Sequence, residues 1–524
     1  MNELSKTLAF SAVALALCGA AFVSTRDRSV RDEAFNDQGQ PFFSDFKDPL
    51  ACTDLEVVDF DPSTATASRF QVKFEDGKWV IPSHYRYPAD ARDRLSKTAA
   101  AVMDLAKDTV RSDRAEDQEE MGVIDPLDTK TTTLKGRGKR ITLRDSSEKV
   151  LADFIIGNEV KDKTGQLYVR VPGQKRTYGV KVKAEPSTRF ADWIETNLLK
   201  LEASHIRKIE FDNYKVNLEQ GYQRGEVLDI DRKDASAAWT MAGLSADQEL
   251  DSDKLRTLTD ALADLKIVGV RTKPAGLTRD LKQNDKEGIK LTATTVASLQ
   301  SKGFYMTKDG QLLSNQGDVR VYTDEGVVYT LRFGEVFFGT GDELTAGTPD
   351  EAEKKASEKT GSQEKEKTKK AEGTTENRFV MVTVAFDPTL IPKPKSDDDK
   401  EKEKEQPAAK PGQPLEVPAS PFAPDPNDPK YLAERKEAKE RAEREQKDYD
   451  KKIADGKKRV AELTDRFAAW YYVTPGDSFR SINLDRAALV KPKKAGSANP
   501  PGGGTPSFPG GTPSFPGALP PIQP

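Results

Sequence analysis

The chain has 524 residues, 36% hydrophobic and 32% charged, with a formal net charge of −4. That length accommodates two or three domains with a sizeable core, and near-balanced charge leaves no field of one sign to draw nucleic acid or an anionic surface. Two cysteines and two histidines exclude a cysteine-rich zinc site and make a Ser-His-Asp or Cys-His arrangement a poor fit, although the two histidines with carboxylates remain open as a pair.

Residues 8–23 form an apolar run broken only by Ser11 and Gly19, a little short of the roughly 20 residues of a spanning helix. A cleaved signal peptide competes with an uncleaved anchor over 1–25. The anchor is favoured, because no clear small-x-small site precedes Thr25 and the only early cation, Lys6, stands against Glu3. Lipid attachment at Cys18 is a minor reading, since Leu17 is bulky where a small residue is needed. Arg26, Arg28 and Arg31 outweigh Lys6, so charge does not fix orientation. The expectation of a single-pass protein of the inner membrane, with its bulk in the periplasm, rests on the signal-like position of the segment.

Residues 26–68 read as a tether, with one short strand at 55–60 and Cys52 open to reagents. An α+β unit is expected over 69–215. It begins with strand 70–74, an Asp76-Gly77 turn and strand 79–81, which predict a hairpin. A helix opened by Pro88 follows, with Leu95, Ala99, Val102, Met103 and Ala106 on one face. Strands at 140–143, 150–156, 167–171 and 176–182 and a helix at 188–199 complete the unit.

Residues 216–340 and 376–392 repeat that order as a second α+β unit. Hairpins at 303–313 and 319–333 turn on Asp309-Gly310 and Glu325-Gly326. Between the two parts, 341–375 is dense in Lys, Glu, Ser and Thr and is expected to be a disordered insertion. A charged, Pro-rich linker over 393–430 is expected to be the same. Residues 431–490 are to supply a long charged helix and a returning strand that completes the second unit. The helix carries Ala438, Ala442, Tyr449, Ile453, Val460, Leu463, Phe467 and Trp470 on a three-four spacing. A coiled coil is one reading of that stripe. A solvated helix that docks only its last turns is the other, favoured by Gly456 in the seam. Residues 491–524, with tandem GTPSFPG, form a Gly/Pro-rich tail expected to be disordered.

The fold class expected is therefore α+β: two duplicated antiparallel-sheet-plus-helix units after an N-terminal membrane helix, with disordered insertions. The duplication rests on motifs recurring in one order: Trp79 before a helix and Trp239 before another, LADFIIG and VVYTLRFG, RFADW at 189–193 and RFAAW at 466–470. Trp79 is expected to match Trp239, and Trp193 to match Trp470. Chance likeness between short apolar motifs is the bland alternative.

No residue is singled out as catalytic, cofactor-binding or metal-binding. Neither GxxxxGK[ST], GxGxxG after a strand nor HExxH occurs. His84 is expected at the surface or on a sheet edge. The acidic pairs Glu119-Glu120 and Asp397 to Asp399 are read as solvated faces, since the chain holds 86 carboxylates. The four tryptophans are read as core.

Several of these stretches resemble the bacterial domain-of-unknown-function 4340 family: GKWVIPSHYRYPADARDRLSKTAAAVMDL, MGVIDP at 121–126 where the family has Gly-Leu followed by Pro, IIG at 155–157 and YVR at 168–170. The resemblance extends over about 70–490 outside the charged insertions, and it departs from the family at those insertions, at the tail and at Val123-Ile124. It carries over no catalytic residue. Because members are often encoded beside ABC-type transporters similar to those of gliding motility, it implies an auxiliary extracytoplasmic role. The partner would be a transporter permease or another envelope protein. Two function classes follow: a non-enzymatic accessory or binding protein, and, alternatively, a cell-envelope polysaccharide-active enzyme using two carboxylates.

Overall fold

The computed structural model describes residues 37–161, 163–183, 186–283, 291–347, 375–394 and 429–493. The expected anchor, most of the two charged segments and nearly all of the tail lie outside the described residues. Among the described residues no helix is long and apolar enough to cross a membrane.

The fold is α+β, with antiparallel sheets and few helices. The first sheet is built from β1 (Asp54–Asp61), β2 (Thr66–Glu75), β3 (Lys78–Ile81), β4 (Tyr87–Pro88), β5 (Thr109–Ser112), β6 (Lys139–Arg144), β7 (Val150–Glu159), β8 (Leu167–Arg170) and β9 (Thr177–Val180), in the order β4-β3-β2-β1-β6-β7-β8-β9-β5. Helix α1 (Arg92–Met103) lies in the connection from β4 at one edge of the sheet to β5 at the other, and α2 (Gln118–Met121) lies in the loop after β5.

β10 (Ile206–Asp212) opens the second sheet, followed by the β11 (Lys215–Asn217) and β12 (Gly221–Gln223) ribbon, β13 (Val227–Asp231), β14 (Thr240–Met241) and β15 (Gln248–Leu250). Helix α3 (Ser252–Ala263) then crosses to β16 (Gly269–Thr272). A small insertion follows, with α4 (Ala293–Ser301) and the β17 (Phe304–Met306) and β18 (Leu312–Ser314) hairpin. Next come β19 (Asp318–Thr323), β20 (Val327–Phe338), α5 (Gly341–Thr345), β21 (Glu376–Phe386), α6 (Pro429–Ala468), β22 (Trp470–Pro475), α7 (Gly476–Ile482), α8 (Arg486–Leu489) and β23 (Val490–Pro492). The second sheet runs β14-β13-β10-β19-β20-β21-β22-β16. Apart from β4, its order matches that of the first sheet strand for strand.

The crossing helices use the same positions. α1 buries Leu95, Thr98, Ala99 and Val102, and α3 buries Leu255, Leu258, Thr259 and Leu262, the i, i+3, i+4, i+7 face that a helix lays on a sheet. The offset between the two sets is constant, and it also separates Trp79 from Trp239 and Val110 from Val270. One continuous apolar core, including Leu55, Phe154, Trp193, Leu258, Val321 and Tyr472, runs through both sheets. The chain passes between them along 194–201, where the Leu198 amide donates to Leu265 and the Ile267 amide donates to Thr196, each at 2.8 Å.

Several expectations are corrected. The tether does not extend to 68: the strand expected at 55–60 is β1, an interior strand of the first sheet between β2 and β6, Phe46 and Cys52 are buried, and Asp37 already accepts the Tyr178 hydroxyl at 2.6 Å. Cys52 is 4% exposed and burial pushes its thiol up to about 12, so it is not open to reagents. The boundary at 215 falls inside the second sheet, because β10 is an interior strand of that sheet, between β13 and β19. In place of a helix over 188–199 there is a short 3-10 turn at Phe190–Trp193. The insertion expected from 341 begins with ordered chain: Tyr85 donates its hydroxyl to the Ala346 carbonyl at 2.7 Å, and Arg271 donates to the carbonyls of Glu343 and Leu344. Trp193 follows β9 whereas Trp470 opens β22, the strand that takes the place of β9, so the two RFAxW motifs do not share a position.

Helix α6 projects its N-terminal half into solvent and docks from Ile453 onward through Val460, Leu463 and Phe467. Gly456 is buried at the point of docking. A Cβ there would stand 2.4 Å from the Glu325 carbonyl and 2.6 Å from the Phe386 ring, so the glycine marks a close contact with the body.

Candidate functional site

The outward face of the first sheet carries a loop, 113–138, that folds back over β6 and β8. Arg137 gathers this loop by donating Nη1 to the carbonyls of Asp125, Pro126 and Asp128 at 3.2, 3.3 and 2.8 Å, Nη2 to Thr131 at 2.7 Å and Nε to Thr133 at 3.1 Å. Its guanidinium lies 4.6 Å from the Phe60 ring centroid. The loop approaches β7 so closely that a Cβ at Gly157 would meet the Met121 carbonyl at 2.3 Å. The stretches MGVIDP, IIG and YVR therefore meet at one place.

What they enclose is a cleft of about 650 Å³, lined among others by Glu116, Ile124, Asp125, Lys130, Arg140 and Arg170. Arg170, the last residue of β8, is 6% exposed. It donates Nε to the Val123 carbonyl at 2.8 Å and Nη1 to the Gln174 carbonyl at 2.9 Å, and among the described residues no carboxylate forms an ion pair with it. Burial lowers its pKa, opposed by the charges of Asp125 and Asp128 and reinforced by Arg140. Arg140 is differently placed: it grips Asp153 through Nε at 2.9 Å and Nη2 at 2.6 Å, and Asp125 through Nη1 at 3.0 Å. The bond to Asp153 raises its pKa. Asp128 accepts the Thr131 hydroxyl at 2.6 Å and the Lys130 amide at 2.8 Å, which hold its carboxyl below the usual carboxylate range.

The second sheet treats the same location in the opposite way. Val110 pairs with Tyr178 and Tyr178 with Val169; Val270 pairs with Tyr472 and Tyr472 with Val380. One residue further along its strand, each ladder turns to the outward face, at Arg170 in β8 and at Met381 in β21. Met381 is fully buried in an apolar cluster with Leu281, Leu299, Phe304 and Leu312, contributed by the insertion between β16 and β19. An open polar cleft on one sheet thus corresponds to a filled apolar seam on the other.

The histidines lie elsewhere. His84, expected at a surface or edge, is 2% exposed and stacked on Phe190 with centroids 4.3 Å apart; its ring nitrogens bond Ser83 and Thr345, each at 2.9 Å. It closes the junction between the sheets. His205 pairs Nδ1 with Asp324 at 2.8 Å, beside the Arg207–Asp324 ion pair, at the wall of a groove of about 770 Å³ between the second sheet and α6. Of the acidic pair, Glu119 rims the cleft and accepts the Thr133 hydroxyl at 3.1 Å, while Glu120 faces solvent and Lys161. Asp397 to Asp399 lie outside the described residues. Trp193 is fully buried and donates Nε1 to the Ser187 carbonyl at 2.8 Å, whereas Trp79, Trp239 and Trp470 are half-buried.

Residues 79–290 match the family model described as Domain of unknown function (DUF4340). That span is a DUF4340 domain. The match is narrower than the resemblance read over 70–490, and it contains the whole cleft together with the opening strands and crossing helix of the second sheet. No curated protein and no solved structure matches the chain. Arg140 and Arg170 carry the cleft, and sequence reading did not single them out. The available signal was a charged residue closing the apolar strand YVR, directly after Val169, where alternation alone calls for an outward side chain.

Proposed function

We propose that this DUF4340 protein is a membrane-anchored, extracytoplasmic, non-enzymatic binding subunit, an accessory component of an ABC-type transport system, and that the cleft at Arg170 is its binding site. The observation that carries the reading is a buried guanidinium, satisfied on two sides by backbone carbonyls and unpaired with any described carboxylate, at the wall of an open cleft. Buried polar groups of this kind orient ligands in otherwise preformed sites. The carboxylates around it favour binding over turnover. Glycoside hydrolysis needs one carboxyl held protonated as general acid, whereas Asp128 is held ionised and Asp125 is engaged by Arg140. The anchor over 1–25 and the transporter partner rest on the apolar run and the family resemblance.

We infer further that the two sheets are copies of one unit, of which the first kept its cleft and the second filled it. The shared strand order and the constant offset between the buried faces of α1 and α3 support this. An experimental structure in which α1 and α3 cross their sheets in different directions would remove that support.

Co-purification from native membranes tests the binding reading. The full-length chain should retain a membrane partner, and His205→Ala should retain it too. Removing residues 1–25 should lose it. Ala115→Trp, at an exposed position on the cleft lining, should release it while leaving the melting temperature unchanged. Full retention by Ala115→Trp would mean the cleft is not the binding site.

A further inference from the structure

Resting on the reading of the cleft as the binding site, we propose that the group it recognises is zwitterionic, with a carboxylate that docks on Arg170 and an ammonium that meets the acidic rim. The hydrogen-bond inventory of Arg170 decides the first contact. Nε and Nη1 are engaged by Val123 and Gln174, while Nη2 has no hydrogen-bond partner among the described residues and is not sealed from solvent, so it opens on the cleft that the residue lines. Nη2 therefore offers a carboxylate a charge-assisted hydrogen bond, which is shorter and stronger than a neutral one.

The surrounding charges select among anions. Asp125 and Asp128 both lie within electrostatic reach of Arg170. A dianion such as phosphate would meet their repulsion twice over compared with a monoanion, since the interaction scales with the product of charges. Arg140 offsets little of this, because Asp153 and Asp125 already occupy its fork. The same acids attract a cation. Asp128 has a carboxylate with further acceptor capacity, and Glu116 and Glu119 stand on the lining beside it. A ligand carrying one carboxylate and one ammonium satisfies both halves of the cleft, whereas a simple carboxylate satisfies one.

Saturation-transfer NMR on the full-length chain at pH 7 tests this with three probes: glycylglycine, acetate and inorganic phosphate. Glycylglycine should bind about tenfold tighter than acetate, the gain expected of one added charge-assisted contact, and phosphate should bind more weakly than acetate. Arg170→Lys, which keeps the charge but loses the planar donor set that bonds Val123, Gln174 and the ligand at once, should weaken glycylglycine at least about tenfold, and Asp128→Asn should reduce its advantage over acetate. Because Arg170 variants leave the buried Val123 carbonyl unpaired and can fail to fold, Ala115→Trp provides the second arm and should block all three probes. Phosphate binding as tightly as glycylglycine, or glycylglycine binding undiminished in Ala115→Trp, would overturn the assignment, as would no binding of any probe. If no probe binds while Ala115→Trp still releases the membrane partner, the ligand class is wrong and the cleft remains the binding site.

Discussion

Tyr87 and Trp470 meet edge to face, their ring centroids 5.2 Å apart and their planes at 73°. Tyr87 stands on the edge strand of the first sheet and Trp470 opens a strand of the second, so this pair helps weld the two sheets into one core. Tyr87 is 3% exposed and also approaches Phe190 and Tyr472 at 5.7 and 6.4 Å. Tyr87→Ala should therefore cost about 3–5 kcal/mol, as for other buried aromatic truncations, whereas Tyr87→Phe should stay within about 1 kcal/mol. Denaturant unfolding followed by tryptophan fluorescence distinguishes these. An alanine variant as stable as the parent would mean the sheets are not joined here.

The sign of the effect at Gly456 tests the docking of α6. In a solvated helix, glycine to alanine stabilises by about 1 kcal/mol. Here the added Cβ meets a backbone carbonyl at 2.4 Å and an aromatic ring at 2.6 Å, and such overpacking costs about 1–3 kcal/mol. Gly456→Ala should lower the urea midpoint. A raised midpoint would place this turn of the helix in solvent.

Lys273 gives a pH dependence. Its Nζ is enclosed without a hydrogen-bond partner among the described residues, and burial, reinforced by Arg332 and opposed by Asp280, lowers its pKa from 10.5 to about 8. A depressed lysine pKa means that the unfolded chain holds more protons between about pH 8 and 10.5, so stability rises with pH across that window and the penalty is full below it. Lys273→Met should stabilise the protein by about 2–3 kcal/mol at pH 7, with the gain shrinking toward zero as pH approaches 10.5. Equal gains at pH 7 and pH 10.5 would show that packing, rather than the buried charge, is responsible.

Features that depend on neighbouring residues were legible in the sequence. The hairpins turn at Asp309-Gly310 and Glu325-Gly326 because the turn chemistry is local, and the crossing helices declare themselves by a spacing contained within each. The strand at 55–60 was legible and is β1, but its place inside the first sheet was hidden, because its polar residues read as tether. In the folded chain Asp54 and Glu56 sit at 3.4 and 2.7 Å from Arg144 on the adjacent strand, a pairing that no local pattern announces. The burial of His84 depends on Thr345, 261 residues away. Likewise the cleft exists only because 113–138 folds over β8. The RFADW and RFAAW motifs show the converse: similar residues fill unrelated places, since one follows the last meander strand of its sheet and the other leads into it.

Location is best tested through a residue that the fold leaves open. Native Cys52 is unsuitable, since it is 4% exposed and its thiol is pushed up to about 12, leaving almost no thiolate near neutrality. Ser146 is exposed in the turn between β6 and β7, so a Ser146→Cys variant presents an ordinary thiol without disturbing the core. If the apolar run at 8–23 anchors the chain with its body outside the cytoplasm, a membrane-impermeant maleimide should label Ser146→Cys in intact spheroplasts, whereas Cys52 in the parent chain should stay unlabelled until denaturant is added. The denaturant step separates burial from location: a thiol shielded by the fold reacts on unfolding, whereas one shielded by the membrane reacts on lysis under native conditions. Protection of Ser146→Cys in spheroplasts, followed by labelling on native lysis, would place the body in the cytoplasm and remove the extracytoplasmic role proposed for the cleft.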